Sequence, residues 1–416
     1  MFGRPSRVLP LAVAVGALLA SCSAPTAESG GLATSQQAST VVPELFVDIE
    51  LEEFPDPDVD RVTIAPLPPS LRPDATEVIP TLTGWDAFDD HLQRTVIGGG
   101  SNALSVAVSV DGEIVHRAAM GLRSSASFEG AETQDRFRIA SISKTITAIV
   151  ALQLVEDGVV GLNEPVGATI AEGLDVANPR PGTTDVTVRQ LLIHTSGFSK
   201  YENLFFGGQV GSCREAASVG FSSSLRGTPG GSFQYSNMNY CVLGLLIEQL
   251  TEMPYEEAVY EHLLTPLGIS GMRLAATVDP GPDEIEHVTT PGRNYMEALG
   301  AAGGWIATPS DIVTIVDSLD PETSGWKPLS QETVGLMKTS ANTPQTPDRG
   351  YGMGLILYGN GNSGHTGTIE STHAMVLDRA DNVTWAVTVS GGYPSDTPRL
   401  AGIIDKALIA GGFLSG

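Results

Sequence analysis

The chain has 416 residues, of which 41% are hydrophobic and 17% charged, enough for one large domain or two ordinary ones with tails. Forty-eight acidic residues stand against 23 basic ones, a formal charge of −25. That balance leaves little material for a basic patch and argues against nucleic acid as a partner.

Residues 1–21 read as an export signal. Arg4 and Arg7 precede an apolar run from Val8 to Ala20 that is too short and too small in its side chains to be read as a membrane span. Leu19-Ala20-Ser21-Cys22 resembles the lipobox of bacterial lipoproteins, in which the cysteine is lipidated and becomes the new N-terminus. The expectation is an exported chain anchored to the membrane through Cys22, on the extracytoplasmic face, rather than ordinary cleavage near Ser23 or Ala24. Loss of residues 1–21 removes two arginines and no acid, which deepens the negative charge. Cys213 and Cys241 lie beyond the signal, in an oxidising compartment, where a Cys213–Cys241 disulfide is the natural reading.

Residues 22–82 read as a flexible acidic linker. Their first part is small, polar and poor in aromatics. Between Glu44 and Asp60 there are eight acidic residues and no basic one. Leu45, Val47, Ile49 and Leu51 alternate with Phe46, Asp48, Glu50 and Glu52, a period of two that fits a short docked strand as well as a solvated spacer. Prolines 55, 57, 66, 68, 69 and 73 argue against anything longer.

The compact part, residues 83–416, opens with the amphipathic segment GWDAFDDHLQRTVI. NALSVAVSVDGEIVHRAAMGL then reads as two strands about an Asp111–Gly112 turn. At the far end, THAMVLDRADNVTWAVTVSGG is a second hairpin, followed by a helix over about Thr397–Ala410. The middle, about 145 to 300, is mostly helical with long Gly/Pro loops. Strands at both ends with helices between predict an α/β (α+β) fold: one antiparallel sheet closed by both termini, flanked by helices and carrying an all-helical insertion.

One stretch poses a chemical question. FRIASISKTITAIVALQLVEDG places Ser141 three residues before Lys144 and then runs apolar to Gly158. Serine three before lysine is weak by itself, and it recurs at Ser324 and Lys327. There, however, Gly325 and the following Pro328 work against a helix. Ser141 instead opens a segment that is apolar nearly all round, the mark of a buried helix with a glycine stop. On a helix, i and i+3 share a face, so the Lys144 amine reaches the Ser141 hydroxyl. Free N–H groups at a helix start suit an oxyanion. Burial and the positive helix end push a lysine toward the neutral amine that can take a serine proton.

Three further stretches join this pair: Tyr235-Ser236-Asn237 at a helix start, Leu191-Leu192-Ile193-His194-Thr195-Ser196-Gly197 at a helix end, and His365-Thr366-Gly367-Thr368 before a β-branched segment. In this order they resemble the serine β-lactamase and penicillin-binding-protein superfamily, in the branch holding class C β-lactamases, DD-carboxypeptidases and related esterases. The likeness covers about residues 85–415, and AAGGWIAT (301–308) matches as well.

The resemblance implies Ser141 as nucleophile, Lys144 as its proton acceptor, and Tyr235 as a second general base or proton relay. It implies Asn237 on the substrate carbonyl side, and an oxyanion hole from the N–H groups of Ser141 and Thr368 on an edge strand. His365, Thr366, Gly367 and Thr368 become substrate-binding positions, and His194 a structural loop histidine. Many β-lactamases have lysine where this chain has His365. No arginine or lysine lies in 356–364, so the expected substrate is neutral at the end that meets an uncharged His365.

Gly359-Asn-Gly361-Asn-Ser-Gly364 fits a dinucleotide fingerprint literally, but it leads into another strand and reads as a hairpin turn. No metal signature is present and no cofactor is implied. The reading is a cell-envelope serine hydrolase that cleaves an ester or amide, or a peptidoglycan peptide, through an acyl-enzyme on Ser141. It is esterase-like or DD-carboxypeptidase-like, with β-lactamase activity a lesser expectation. The rival is a non-catalytic penicillin- or peptidoglycan-binding lipoprotein with the same fold.

Overall fold

The Asp-Gly signal at 111–112 makes the first hairpin. Asp111 and Gly112 both take positive φ, 52° and 80°, the geometry whose twist matches that of paired strands. They join β1 (Ser101–Val110) to β2 (Glu113–Gly121). The computed structural model describes residues 82–126, 128–340 and 349–415. The segment expected to be an export signal, Cys22, and the acidic segment with its alternating Leu45–Leu51 stretch lie outside the described residues.

The other strands are β3 (Phe137–Arg138), β4 (Arg273–Leu274), β5 (Trp305–Ala307), β6 (Arg349–Tyr351), β7 (Ile356–Tyr358), β8 (Ser363–Ile369), β9 (Thr372–Asp378) and β10 (Val383–Gly391). The large sheet has seven strands in the order β2-β1-β10-β9-β8-β7-β6, and each neighbouring pair is antiparallel. The first and last strands among the described residues thus meet side by side, Val106 opposite Val387, closing the sheet through both ends of the domain. A small sheet, β3-β5-β4, sits at the entry to the serine segment.

Strand alternation assigns the two faces. Leu104, Val106 and Val108 of β1, Met375 and Leu377 of β9, and Trp385, Val387 and Val389 of β10 belong to one buried cluster. It is completed by Phe88 and Leu92 of the helix Gly84–Leu92 and by Leu400, Ile404 and Leu408 of the helix Arg399–Ala410. The intervening residues Ala107, Ala374, Val376 and Ala386 face a second, larger core, shared with the helices. Small side chains on that face let the helix Pro309–Asp317 pack against β1, β9 and β10, whereas the helix Ser143–Glu156 packs among the other helices. It is buried at twelve of its fourteen positions, Ser143 through Leu154, which is why its sequence shows no polar stripe. It stops at Gly158, in left-handed geometry at φ 70°.

The helical insertion runs from Gly167–Gly173 to Tyr255–Val259, between the serine helix and β4. Cys213, opening the helix Cys213–Phe221, is bonded to Cys241 on the helix Asn237–Thr251, with Cα atoms 5.0 Å apart. The dinucleotide-like glycine run is the β7–β8 turn.

Candidate active site

The nucleophile position is built by backbone geometry rather than by the helix alone. Ser141 does not open the α-helix. It lies in a single 3₁₀ turn, Ala140–Ile142, and the α-helix begins at Ser143. Ala140 adopts φ 47°, a left-handed conformation that costs a non-glycine residue about 1–3 kcal/mol and persists only where the surroundings impose it. The surroundings here are explicit. Ile139 donates its N–H to the Trp305 carbonyl. Arg138, buried in β3, binds the Tyr295 hydroxyl at 2.6 Å and the Thr277 carbonyl at 2.8 Å. On the other side β8 presses against the turn: a Cβ on Gly367 would lie 2.1 Å from the Ile139 carbonyl oxygen. Glycine is required there for the strand and the turn to touch.

Lys144 is fully buried. Its Nζ lies 3.1 Å from Ser141 Oγ, 2.8 Å from Asn237 Oδ1 and 2.7 Å from the Ala302 carbonyl. No carboxylate is among its partners, and burial drives its pKa well below that of an ordinary lysine. The partner set has a chemical consequence. The two carbonyls can only accept, so they take the two N–H bonds of a neutral amine. Ser141 is the one partner with a proton to give, and it meets the remaining lone pair.

Tyr235 and Asn237 come from the start of the helix Asn237–Thr251. Ser236 is its N-cap, its hydroxyl accepting from the Met238 N–H and donating to the Ser199 carbonyl at 2.6 Å. That cap fixes the direction in which its two neighbours project. The Tyr235 hydroxyl is hydrogen-bonded to Ser141, and burial raises its pKa above that of a free phenol. The Tyr235 ring lies 4.9 Å from Lys144 Nζ. Beneath it sits His194, 1% exposed, with ring centroids 4.3 Å apart. His194 Nδ1 accepts from the Ser236 N–H and the Asn239 amide, so this histidine supports the tyrosine and its cap.

His365, Thr366, Gly367 and Thr368 all lie within β8, and two expectations about them are corrected. First, β8 is not the last strand of the sheet, because β7 and β6 continue beyond it. Its edge is open only locally: β7 pairs with Ser363 and Gly364, leaving His365 to Ile369 to face the Ser141 turn. Second, His365 has no ring nitrogen left for a substrate. It is 1% exposed, Nδ1 donates to the Thr366 carbonyl at 2.7 Å, and Nε2 accepts from the Tyr351 hydroxyl at 3.1 Å. Burial, reinforced by Lys144, lowers its pKa to about 3, so the ring is neutral and structural.

A cavity of about 330 Å³ is lined by Ser141, Tyr235, Arg349, Tyr351, Ile356, His365, Thr366 and Thr368. Arg349 is the residue that sequence reasoning missed. Searching 356–364 for a cation stopped seven residues short of Arg349, the first residue of β6. The Arg349 guanidinium lies 5.9 Å from the Tyr358 ring, has no carboxylate within 4 Å among the described residues, and keeps a buried Nε without a partner. Thr368 carries a support that was also missed: its hydroxyl meets Thr397 at 2.6 Å, which meets His373 Nδ1 at 2.6 Å. At the second serine–lysine match, Lys327 binds Thr323, not Ser324. Cys22 lies outside the described residues.

The Beta-lactamase family profile matches residues 88–408, which include every residue of the Ser141 site. The chain belongs to the Beta-lactamase family. Curated relatives include the D-alanyl-D-alanine-carboxypeptidase/endopeptidase AmpH of Escherichia coli strain K12, 26% identical over 55% of this chain and 60% of its own. Penicillin-binding protein 4 of Amycolatopsis lactamdurans is 26% identical over 61% of this chain and 70% of its own. The match to Protein flp of Staphylococcus aureus spans 44% of that protein, so the chain spans about half the length of the curated relatives it matches. Among solved structures, the D-amino acid amidase of Ochrobactrum anthropi SV3 superposes with a TM-score of 0.66 at 22% identity, over 78% of this chain and 98% of its own. At that identity the likeness is one of fold. Members of this family are serine hydrolases, a DD-carboxypeptidase among them.

Proposed function

We propose that the protein is a serine hydrolase that forms an acyl-enzyme on Ser141, with a preference for acyl donors bearing a free carboxylate. The observation that carries the chemistry is the set of three partners on the buried Lys144 amine. As Ser141 Oγ attacks the carbonyl carbon, its proton passes to Lys144. The backbone N–H groups of Ser141 and Thr368 hold the oxyanion, and the Asn237 amide nitrogen, whose oxygen is taken by Lys144, faces the acyl carbonyl side. Tyr235, a phenol that stays protonated, gives its proton to the departing nitrogen or oxygen and regains one from Lys144. Between a second base and a relay, the raised pKa favours the relay. Water then attacks the ester at Ser141 by the reverse proton path and releases the acid.

The substrate preference rests on Arg349. A guanidinium in the Ser141 cavity with no carboxylate partner among the described residues suits a carboxylate on the leaving group, as in a carboxypeptidase, better than a neutral ester. This reverses the expectation drawn from His365. The lipobox-like Cys22 supports placement on the extracytoplasmic face of a membrane, where peptidoglycan peptides are available. Intact mass after exposure to a penicillin and to a fluorophosphonate tests the acyl-enzyme. A single adduct on Ser141 is expected, and no adduct would turn the reading to the non-catalytic binding protein.

A further inference from the structure

A second cavity, about 670 Å³, lies beside the first and shares Tyr235 with it. Its walls are two segments from the insertion, Thr195–Lys200 and Arg226–Tyr235, zipped to each other through the backbone. Arg226 and Gly227 donate to the Gly197 carbonyl, Gly230 to the Thr195 carbonyl, and Gln234 to the His194 carbonyl. Gly197 permits this at φ 87°, where a Cβ would lie 2.1 Å from the Gly227 carbonyl oxygen. The cavity is therefore held open by fixed backbone.

Its lining is cationic. In a chain of charge −25, Lys200 and Arg226 both line this space and no acid does. Arg226 has no carboxylate within 4 Å among the described residues. Lys200 has Glu202 at 3.7 Å, with the two side chains 60% and 69% exposed, a pairing that water and salt largely screen. Ser232 and Gln234 add neutral polar groups, and Phe233 and Tyr235 continue the wall to the hydroxyl bonded to Ser141.

We infer that this cavity is a second substrate subsite, for an anionic group remote from the scissile bond. The inference rests on the acyl-transfer reading and deepens it. The substrate would carry two negative charges, one at Arg349 and one at Lys200 and Arg226, which a strongly acidic protein would otherwise repel.

Two pairs of D-alanyl-D-alanine-type peptides test it. One pair differs only in an acyl-end succinyl against butyryl group. The other differs in D-Glu against D-Gln as leaving residue. In at least one pair the extra charge should raise kcat/KM about tenfold, mainly through KM, and added salt should reduce the gain. The Lys200→Gln/Arg226→Gln protein should lose that preference while hydrolysing the neutral member normally. Because both residues are exposed, a thermal melt matching wild type is expected. Hydrolysis with no charge preference in either pair, or a preference that survives the double substitution, would overturn the subsite and leave the acyl-enzyme standing. Calorimetric binding of the same peptides to the Ser141→Ala protein makes the same comparison without turnover.

Discussion

Two walls meet at Ser141, and they were read from the sequence with opposite success. One wall is helical: Lys144, Tyr235 and Asn237, projecting from the starts of two buried helices. The other belongs to the sheet: Arg349, Tyr351, His365 and Thr368, spread over β6 and β8. The helical wall follows from short-range rules, since i and i+3 share a face and an N-cap fixes its neighbours. The sheet wall depends on which strand lies beside which, and no local rule supplies that. The same residue type illustrates the difference. Lys144 sits where its spacing put it, whereas His365 has the expected position in its strand and lines the Ser141 cavity, but its ring nitrogens are taken by Thr366 and Tyr351.

The largest effect that would break this contrast lies on the helical wall. Ser141→Ala should lower kcat by about 10⁶, and Lys144→Ala by about 10²–10⁴, read from single-turnover release of a chromogenic acyl donor. Ser324→Ala, at the other serine–lysine match, should leave the rate unchanged. Near-normal turnover by Ser141→Ala would end the case for that wall as the reacting one.

The next effect concerns how that wall is braced. The Cys213–Cys241 bond ties the helix that carries Asn237 to the helix Cys213–Phe221, closing a loop of 28 residues in sequence separation. Replacing both cysteines with serine should cost about 3–4 kcal/mol on the chain-entropy account, measured by denaturant unfolding. The folded remainder should keep its acylation chemistry. An unchanged unfolding midpoint would mean the helices need no tie.

On the sheet wall the expected change is one of specificity. Arg349→Gln should lower kcat/KM for a peptide with a free carboxylate by about ten- to a hundredfold, the 1.5–3 kcal/mol of a charged hydrogen bond. A neutral p-nitrophenyl ester should be hydrolysed as before. Equal losses on both would make Arg349 a structural residue and return the carboxylate question to the strand.

The smallest effect is a flat line that separates the two walls by pH. His365, with its pKa lowered to about 3, stays neutral well above that value. The ratio of kcat/KM for carboxylate over neutral substrates should therefore stay level between about pH 5 and about pH 8, where an unperturbed histidine would titrate. Lys144 acts differently. Its lowered pKa keeps the amine neutral below the usual lysine range, and the rate for both substrates should fall together as acid protonates it. A step in the ratio near 6.5 would show His365 charging against the substrate.

Much of the architecture was legible because it is written in short runs. Asp111–Gly112 demanded a turn, the apolar stretch after Ser141 demanded burial, and strands at both ends demanded a shared sheet. The errors have a common physical origin in long-range pairing. That β6 and β7 extend the sheet past β8 could not be seen in residues 365–368. Nor could the Ala140 φ of 47°, which is imposed by β5 and β8 from opposite sides.

The sequence by itself determined that Lys144 meets Ser141, because residues three apart at the start of an apolar helical segment share a face. It also determined the cysteine pair and the two-ended sheet. The tertiary structure decided the charges that surround that chemistry. Burial by distant segments lowers the Lys144 pKa, with Ala302 and Asn237 as its acceptors. Arg349 reaches the Ser141 cavity through strand order, and Lys200 and Arg226 share a wall because Gly197 lets two loops close on each other. Helix spacing is a property of neighbours in the chain, whereas a site's electrostatics is a property of neighbours in space.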